Sequence, residues 1–465
     1  MIVSKSLAAA VLKEALKTGA DFAELYAQDR KNHSISISHK RVDSVSTNIV
    51  YGAGIRLIQG DKVIYGYTSD LTKASLLKLA GELADSFNGK KPTEPKPLVK
   101  VRNPGKHKPK IPHDQMSDEE KIAELKKAEK AIYEYSPLIV NADVSIGESD
   151  EEVEIFNSNG RFVTDTRIRT RLGIASYASK NGQFQVGSER PGGQYGDEIF
   201  QLHDVVALAK KAAKCSVDLL DAPDCPSGKM TVIIGNQFGG VLFHEACGHP
   251  LEGTAISHDQ SVFCGKLGQK IASDVVSAVD DGTIPNGWGS SNFDDEGMPT
   301  TRNQLIKDGI LVGYMVDNYD GKRLNMPSTG ACRRQSYKFC PVTRMTNTFI
   351  ENGKSTVDEM IKATKFGLYC VSFNGGSVDP TTDKFNFTAS EAYIIKDGKI
   401  DHMVKGASLI GFGYEVLMNI DMVGNDLGRG QGMCGAASGS IPADVGQPTL
   451  RVQNMTVGGN GERIG

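Results

Sequence analysis

The segment His244-Glu-Ala-Cys-Gly-His249 holds two imidazoles and a carboxylate within a short stretch, which is a combination typical of hydrolytic metal sites. In the common zinc motif His-Glu-x-x-His the histidines stand four residues apart, so a regular helix points both rings at one ion. Here they stand five residues apart. On an ideal helix this spacing turns the two side chains roughly 140° away from each other. A regular helix would therefore keep the two rings apart.

The extra residue predicts a distorted helix around the motif. A single π-turn would return both histidines to one face, and such turns occur mostly at functional sites. Gly248 relaxes the backbone beside the second histidine, and Pro250 has no N–H for a helical hydrogen bond. We expect a π-turn between the histidines and an end to the helix close to His249.

A catalytic zinc site usually has three protein ligands, so two histidines leave one ligand to be found. Nearby candidates are Glu252, His258, Cys247 and Cys264. A remote candidate is Cys434, whose glycine neighbours would let the backbone approach an ion and whose thiolate is a strong zinc ligand. Cys247 is its main rival, since it follows His244 by three residues and could share one face of a regular helix with it. The spacing does not choose between them.

The elements that must position these side chains fall into two predicted domains, residues 1–222 and 223–465. In the first, helices over about 6–18, 71–87, 117–135 and 199–219 flank short alternating strands, and Asn157-Ser-Asn-Gly160 marks a hairpin turn. In the second, the strand Met230–Gly235 precedes the motif helix, and strands with helices near 270–277 and 355–364 follow. The pattern predicts an α+β fold, with a helix and antiparallel-sheet domain before a strand-rich domain that carries the metal-binding helix.

Residues 90–110 hold eight Lys or Arg and one acidic residue, with prolines throughout. Proline favours extended backbone, and no aromatic residues are present to stack on bases. We therefore interpret residues 88–115 as a solvated connector, with a polyanion-binding arm as the alternative.

The composition indicates a folded protein without a bulk ionic partner. The net charge of -3 is far from the basic field of a nucleic-acid binder, so we expect no nucleic acid. No apolar run approaches membrane-spanning length, so we expect no membrane association. Eight cysteines lie scattered without paired spacing, which favours reduced thiols and a cytoplasmic location.

Several segments together resemble the TldD/PmbA family of metalloproteases, also called the modulator of DNA gyrase family, and the likeness runs nearly end to end. They are His244-Glu-Ala-Cys-Gly-His-Pro-Leu-Glu-Gly, Pro341-Val-Thr-Arg-Met-Thr-Asn-Thr-Phe-Ile, Gly375-Gly-Ser-Val-Asp-Pro, Lys405-Gly-Ala-Ser-Leu-Ile-Gly, Met422-Val-Gly-Asn-Asp-Leu, Met433-Cys-Gly and Gly446-Gln-Pro-Thr-Leu-Arg-Val. The chain is similar to the TldD-type subunit, which carries the metal motif that the PmbA type lacks.

This resemblance implies a zinc-dependent peptidase with one Zn²⁺ per chain. His244, His249 and Cys434 would be its metal ligands, and Glu245 would be the catalytic general base. The substrates would be peptides or unfolded polypeptides. The resemblance also implies a dimer, either a homodimer or a heterodimer with a metal-lacking PmbA-type paralogue.

Two other functions compete with peptidase activity. The chain could be a non-catalytic regulatory or scaffold subunit that partners an active paralogue, although the intact metal motif argues against this. The basic stretch at 90–110 could bind nucleic acid. We interpret Gly375-Gly-Ser-Val-Asp-Pro as a turn that supports a substrate cleft, because it lacks the ending of a phosphate-binding loop. Arg344 and Asn347 could contact a peptide backbone or support the site.

Overall fold

A computed structural model of the protein describes residues 1–87, 91–379, 382 and 384–464. Residues 88–90 of the predicted connector, Pro380 of the predicted turn and Gly465 lie outside the described residues.

The N-terminal part combines helices with a long antiparallel sheet. Its helices are α1 (Lys5–Ala15), α2 (Lys73–Ala84), α3 (Asp118–Tyr133), α4 (Ile199–Leu202) and α5 (Val205–Asp221). Its strands are β1 (Phe22–Ser38), β2 (Arg41–Gln59), β3 (Lys62–Thr68), β4 (Val99–Lys100), β5 (Ile139–Asn157), β6 (Arg161–Lys180), β7 (Gln183–Glu189) and β8 (Gly192–Gly193). They pair in the order β3-β2-β1-β5-β6-β4, and β7 and β8 pair with β6.

Local sequence signals account for several of these boundaries. Ser117 and Glu120 form a capping box that begins α3. The predicted helix over 199–219 is interrupted, because the Asp204 side chain accepts hydrogen bonds from the backbone N–H groups of Val206 and Ala207 and so begins α5 afresh. The turn predicted at residues 157–160 joins β5 to β6, as expected.

The two faces of the N-terminal sheet have different neighbours, because successive side chains of a strand point to opposite sides. On β1, Leu25 packs in a core with residues of α1 and α2, and Ile35 packs in a core with residues of α3 and α5. Tyr26 on the other face packs with Phe293 and Tyr337 of the C-terminal part. The sheet therefore carries its helices on one side and the C-terminal part on the other.

Buried ion pairs join the two parts. Arg56 contacts both Glu24 of its own part and Glu296 of the C-terminal part. Arg334 of the C-terminal part contacts Glu24, and Arg167 lies 2.7 Å from Asp295. All of these side chains are at most 8% exposed.

The C-terminal part is rich in strands, as predicted. Its helices are α6 (Val241–Phe243), α7 (Gly253–Ile256), α8 (Asn318–Leu324), α9 (Val357–Lys362) and α10 (Gly413–Asn419). Its strands are β9 (Gly228–Ile234), β10 (Ala278–Asp281), β11 (Arg302–Lys307), β12 (Ile310–Leu311), β13 (Cys332–Arg333), β14 (Val342–Thr343), β15 (Thr348–Ile350), β16 (Phe366–Asp379), β17 (Lys384–Lys396), β18 (Lys399–Val404), β19 (Ser408–Phe412), β20 (Ile420–Val423), β21 (Gln431–Ala436), β22 (Gly439–Asp444) and β23 (Leu450–Gly458). The α+β fold is confirmed.

A closed circuit of strands supports the motif helix. β16 pairs with β9, and the circuit continues through β23, β19 and β17 back to β16. Phe243, Cys247 and Leu251 of the motif segment belong to the hydrophobic core that these strands line. Burial of these side chains fixes the helical segment against the sheet. His244 and His249 do not belong to this hydrophobic core.

Two expectations for this part are wrong. Residues 270–277 form no helix, because the N–H groups of Ile271 and Ala272 donate to the Gly309 carbonyl. Gly375 and Gly376 lie inside β16, opposite Thr388 and Phe387 of β17, and do not form the predicted turn. In both cases, hydrogen bonds to other segments of the chain determine the backbone conformation.

The described residues of the predicted connector include one short strand. Residues 91–110 contain no helix, and Val99–Lys100 pairs in parallel with Arg161 and Phe162. Among the helices of the described residues, none combines the length and apolarity needed to cross a bilayer. The domain boundary at residues 222 and 223 stays a prediction.

Candidate metal centre

The motif segment changes its helical type along its length. A 3₁₀ turn over 237–240 leads into α6, a π-turn covers His244–Gly248, and a 3₁₀ turn covers His249–Leu251. The backbone N–H of His249 donates to the carbonyl of His244, five residues back, which is the hydrogen bond of a π-turn. At Glu252 the backbone is extended. The predicted π-turn and the predicted end of the helix are both confirmed.

Glycine is required where this segment meets its neighbours. A Cβ atom on Gly248 would lie 2.2 Å from Sδ of Met345, and one on Gly240 would lie 2.1 Å from the Val445 carbonyl oxygen. Both distances are far below van der Waals contact. These glycines let the helical segment approach the 345 and 445 segments closely.

Cys434 reaches the motif on the hairpin of β21 and β22, where it lies opposite Ile441. Three side chains hold the β21 backbone by donating to its carbonyl groups: Arg344 to Cys434 (2.6 Å), Trp288 to Gly432 (2.8 Å) and Arg171 to Gln431 (2.6 Å). Arg171 comes from β6 of the N-terminal part, so both parts of the chain fix the position of the hairpin.

The structure brings His244, His249 and Cys434 together. Nε2 of His244 lies 3.2 Å from Sγ of Cys434, and Nε2 of His249 lies 3.1 Å from the same sulfur. All three potential ligand atoms lie within 4.8 Å of one another. The imidazole rings stand nearly perpendicular, at 82°, so their nitrogens converge on the sulfur from different directions.

The charges of this cluster favour a thiolate. Burial would raise the pKa of the Cys434 thiol, but the neighbouring His244 and His249 imidazoles outweigh burial and hold this pKa at about 4. Burial would likewise lower the pKa of His249, whereas Glu252 and Cys434 raise it well above its ordinary value. A thiolate and two imidazoles are the donor types that Zn²⁺ accepts.

Two glutamates serve different parts of the cluster. The Glu245 carboxylate lies 4.0 Å from Nε2 of His249, on the side of the converging ligand atoms, and it is 21% exposed. Glu252 instead contacts the other ring nitrogen, with Oε2 3.1 Å from Nδ1 of His249. Its Oε1 accepts a hydrogen bond from the Met345 N–H. With Nδ1 as donor to Glu252, Nε2 of His249 faces the cluster, and its lone pair would become available when a metal ion displaces the proton shared with Cys434.

The other candidate ligands lie outside the group of converging atoms. Cys247 is fully buried in the core. Nδ1 of His258 lies 3.0 Å from the Thr254 carbonyl oxygen. Sγ of Cys264 lies 3.7 Å from the Ile256 carbonyl oxygen. Glu252 contacts the imidazole ring of His249 but does not belong to the group of converging atoms.

The sequence left two roles open for Arg344 and Asn347, contact with a peptide backbone or support of the site. Arg344 is completely buried and links the two sides of the cluster, since it donates to the Cys434 carbonyl and its Nε lies 3.8 Å from Oε1 of Glu252. Asn347 is also completely buried, and it bonds to the Asp281 carbonyl and to Ser290. Burial of these polar groups removes them from contact with a peptide, and no spacing in the sequence announces the Arg344 link.

Three family models match successive parts of the chain. The model of the PmbA/TldA metallopeptidase domain 1 matches residues 23–86, that of the central domain matches residues 111–220, and that of the C-terminal domain matches residues 227–459. The third match contains every residue of the cluster.

Relatives extend the likeness over almost the whole chain. The metalloprotease TldD homolog of Haemophilus influenzae is 38% identical over 94% of this chain and 93% of its own length. The zinc metalloprotease TldD homolog of Saccharolobus solfataricus is 26% identical over 96% of this chain and 99% of its own. The crystal structure of TldE from Thermococcus kodakarensis shares the fold, with a TM-score of 0.78 and 20% identity over 96% of this chain and 98% of that one. This chain belongs to the PmbA/TldD family of metallopeptidases.

Proposed function

We propose that this chain is a zinc-dependent peptidase that hydrolyses peptides or unfolded polypeptides, with His244, His249 and Cys434 as ligands of one zinc ion and Glu245 as the general base. The convergence of the three ligand atoms within 4.8 Å carries this proposal. The name of the Saccharolobus solfataricus relative, a zinc metalloprotease, supports the choice of metal.

The donor set fits zinc in chemistry and in size. Zn–S bonds of about 2.3 Å and Zn–N bonds of about 2.0–2.1 Å at a tetrahedral angle separate sulfur from nitrogen by roughly 3.6 Å. The two distances from Cys434 Sγ to the imidazole nitrogens are 3.2 and 3.1 Å. An outward movement of a few tenths of an ångström would accommodate the ion. The two imidazoles favour the thiolate form of Cys434, and zinc would displace the proton that His249 holds between Cys434 and Glu252.

Each residue then has a distinct task. When bound, zinc acidifies water and polarises the scissile carbonyl group. Glu245 takes the proton of the attacking water and passes it to the leaving amine. Glu252 holds the His249 ring with Nε2 toward the cluster. Arg344 fixes the hairpin that carries Cys434.

Paired measurements of zinc and turnover test the proposal. The purified full chain should contain about one zinc per chain and should cleave a chemically unfolded polypeptide while leaving the same polypeptide intact when folded. Glu245→Gln should keep the zinc and lose hydrolysis, because only the proton acceptor is removed. Normal turnover by that variant at full zinc content would refute the role of Glu245. A zinc-loaded wild type without hydrolysis would favour the regulatory or scaffold function.

We also propose that the chain acts as a dimer, either with itself or with a metal-lacking PmbA-type paralogue. Within the described residues, the 41–51 half of β2 pairs only with β1, and it exposes Val42, Val45 and Ile49, the last at 69%. Exposed apolar side chains on a strand edge are typical of contact surfaces. Light scattering on the pure chain should give twice its monomer mass, whereas a monomer would leave only the paralogue as partner.

The cytoplasm is the proposed location. No disulfide joins any of the eight cysteines, all of which lie within the described residues, and Cys434 must be reduced to serve as a ligand. Oxidising conditions should therefore reduce the zinc content.

A further inference from the structure

A cavity of about 440 Å³ lies between the N-terminal sheet and the C-terminal part. β6 contributes Arg169 and Arg171 to its wall, β13 contributes Arg333, and Trp288 and Met433 add apolar surface. We call this space the arginine cavity. It is distinct from the cluster of His244, His249 and Cys434, none of which lines it.

Other arginines on this wall have carboxylate partners. Arg167 lies 2.7 Å from Asp295, Arg334 contacts Glu24, and Arg30 lies 3.8 Å from Glu151. These contacts neutralise both members of each pair. Two further carboxylates line the cavity: Glu148 lies 2.6 Å from Lys121, and Asp294 accepts from the backbone N–H groups of Glu296, Met298 and Cys332.

Arg169, Arg171 and Arg333 have no such partner among the described residues: no carboxylate oxygen comes within 4.0 Å of their guanidinium nitrogens. They donate only to backbone carbonyls, Arg169 to Trp288 (3.0 Å) and Ser290 (3.0 Å), Arg171 to Gln431 (2.6 Å) and Arg333 to Met345 (2.6 Å). Arg169 is 8% exposed and Arg333 is 7% exposed. Cationic side chains at such depth are rarely left without an anion.

The arginines also act on one another. Burial and nearby Arg167 together lower the pKa of Arg169 to about 10, although the Glu151 carboxylate acts in the opposite direction. Burial, Arg169 and Arg344 together lower the pKa of Arg333 to about 9, against the opposing effect of Asp295. Arginine keeps its charge at neutral pH, and six arginines line the cavity against the four carboxylates of Glu148, Glu151, Asp294 and Asp295, so the lining carries net positive charge. An anion that enters would relieve both the desolvation and the repulsion.

The arginine cavity and the metal-ligand cluster share a wall. Met433, which lines the cavity, directly precedes Cys434 on β21. Arg333 donates to the carbonyl of Met345, whose N–H donates to Glu252, the partner of His249. Met433 and Cys434 are consecutive residues of β21, so their side chains point to opposite faces, and the hairpin of β21 and β22 separates the cavity from the cluster. A peptide bound at the cluster would have to pass the edge of this hairpin to place a carboxylate in the cavity.

We propose that the arginine cavity binds a carboxylate group of the peptide on which the enzyme acts, an inference that rests on the proposed peptidase function. Guanidinium groups hold carboxylates through paired, charge-assisted hydrogen bonds. Trp288 and Met433 would contact the apolar portion of the residue that bears the carboxylate. The carboxylate could be the free end of the peptide or an acidic side chain, and both present the same chemistry.

The fluorescence of Trp288, the single tryptophan of the chain, gives a direct measure of binding. The zinc-loaded full chain with Glu245→Gln is titrated with three acetylated tripeptides: trialanine with a free carboxylate, trialanine amide, and the amide with a central glutamate. We expect the free-carboxylate peptide to bind at least about tenfold more tightly than trialanine amide. Tight binding of the glutamate peptide would assign the cavity to acidic side chains instead of chain ends.

Arg171→Gln should reduce this preference about tenfold, because Arg171 is the least buried of the three unpaired arginines. Arg102→Gln is the matched control, since it removes one positive charge from an exposed position outside the cavity and should leave the preference unchanged. Equal binding of acid and amide peptides, or an unchanged preference in Arg171→Gln, would overturn the carboxylate proposal. Peptide hydrolysis by the wild type is measured in parallel, so loss of hydrolysis with an intact preference would count against the peptidase function alone.

Discussion

Replacing Glu252 with glutamine should weaken zinc binding without removing any proposed ligand. The carboxylate accepts from two donors at once, Nδ1 of His249 at 3.1 Å and the backbone N–H of Met345 at 3.3 Å. A glutamine side chain has only one acceptor oxygen. One of these two donors must then face the amide NH₂ group. Either His249 loses its charge-assisted hydrogen bond, or residue 252 loses the hydrogen bond from Met345 that holds it beside the ring.

The structure sets the size of this effect. A hydrogen bond with a charged partner contributes about 1.5–3 kcal/mol, and the neutral replacement about 0.5–1.5 kcal/mol. Glu252 is only 9% exposed in its side chain, so water offers little compensation. We therefore expect zinc affinity to fall by about 10- to 100-fold, or about 1.4–2.8 kcal/mol.

Competition with a chromophoric zinc chelator measures the affinity directly. Glu245→Gln is the matched control, because it makes the same chemical change beside the same histidine while the two ring nitrogens of His249 keep their partners. Glu245→Gln should keep wild-type affinity and lose turnover, whereas Glu252→Gln should regain turnover at raised zinc concentration. Unchanged zinc affinity in Glu252→Gln would refute the view that this carboxylate orients His249.

Three further predictions concern the cluster and its surroundings. Cys434→Ser should bring the zinc content well below one per chain, while Cys247→Ser should keep it; elemental analysis of both proteins decides, and full occupancy in Cys434→Ser would return Cys247 to consideration. Gly248→Ala should destabilise the fold by about 1–3 kcal/mol through overpacking against Met345, and Met345→Ala in the same chain should restore part of the loss, as measured by urea unfolding. Burial lowers the pKa of His107 from 6.5 to about 4. As the pH falls from 6.5 toward 4, the imidazole therefore becomes protonated in the unfolded chain but stays neutral in the folded chain, and the free energy of unfolding decreases. His107→Gln should reduce the difference in unfolding free energy between pH 7 and pH 5, and an unchanged difference would argue against this group.

The distortion of the motif helix could be predicted because it is a local property. The five-residue spacing of His244 and His249 fixes the angle between their side chains, and Gly248 and Pro250 weaken regular helical hydrogen bonding. The helices α1, α2 and α3 were predictable for the same reason, since their caps and periodicity lie within a few residues. The α+β fold follows from these elements.

Contacts between residues far apart in the sequence could not be predicted from the spacing of residues within a motif. Cys434 lies 190 residues after His244, and only the β21–β22 hairpin brings its sulfur to the histidines. The family resemblance nominated Cys434, whereas spacing alone left Cys247 in contention. Gly375 and Gly376 suggested a turn, but pairing with β17 placed them in a strand. The roles of Glu252 and Arg344 likewise depend on partners that come together only in the folded chain.

The buried ion pairs between the two parts of the chain mean that the proposed peptidase chemistry is not a transplantable module. A fragment of residues 223–465 would keep Asp295 and Glu296 but lose their partners Arg167 and Arg56. Without the N-terminal part these two carboxylates would face water, and the larger cost would come from exposing the apolar side chains of Phe293 and Tyr337, which pack against Tyr26. Arg56 and Arg167 of the N-terminal sheet neutralise Glu296 and Asp295 of the C-terminal part in the intact chain. A minimal enzyme cut from this chain would need polar residues at positions 293 and 337 before it could stand alone.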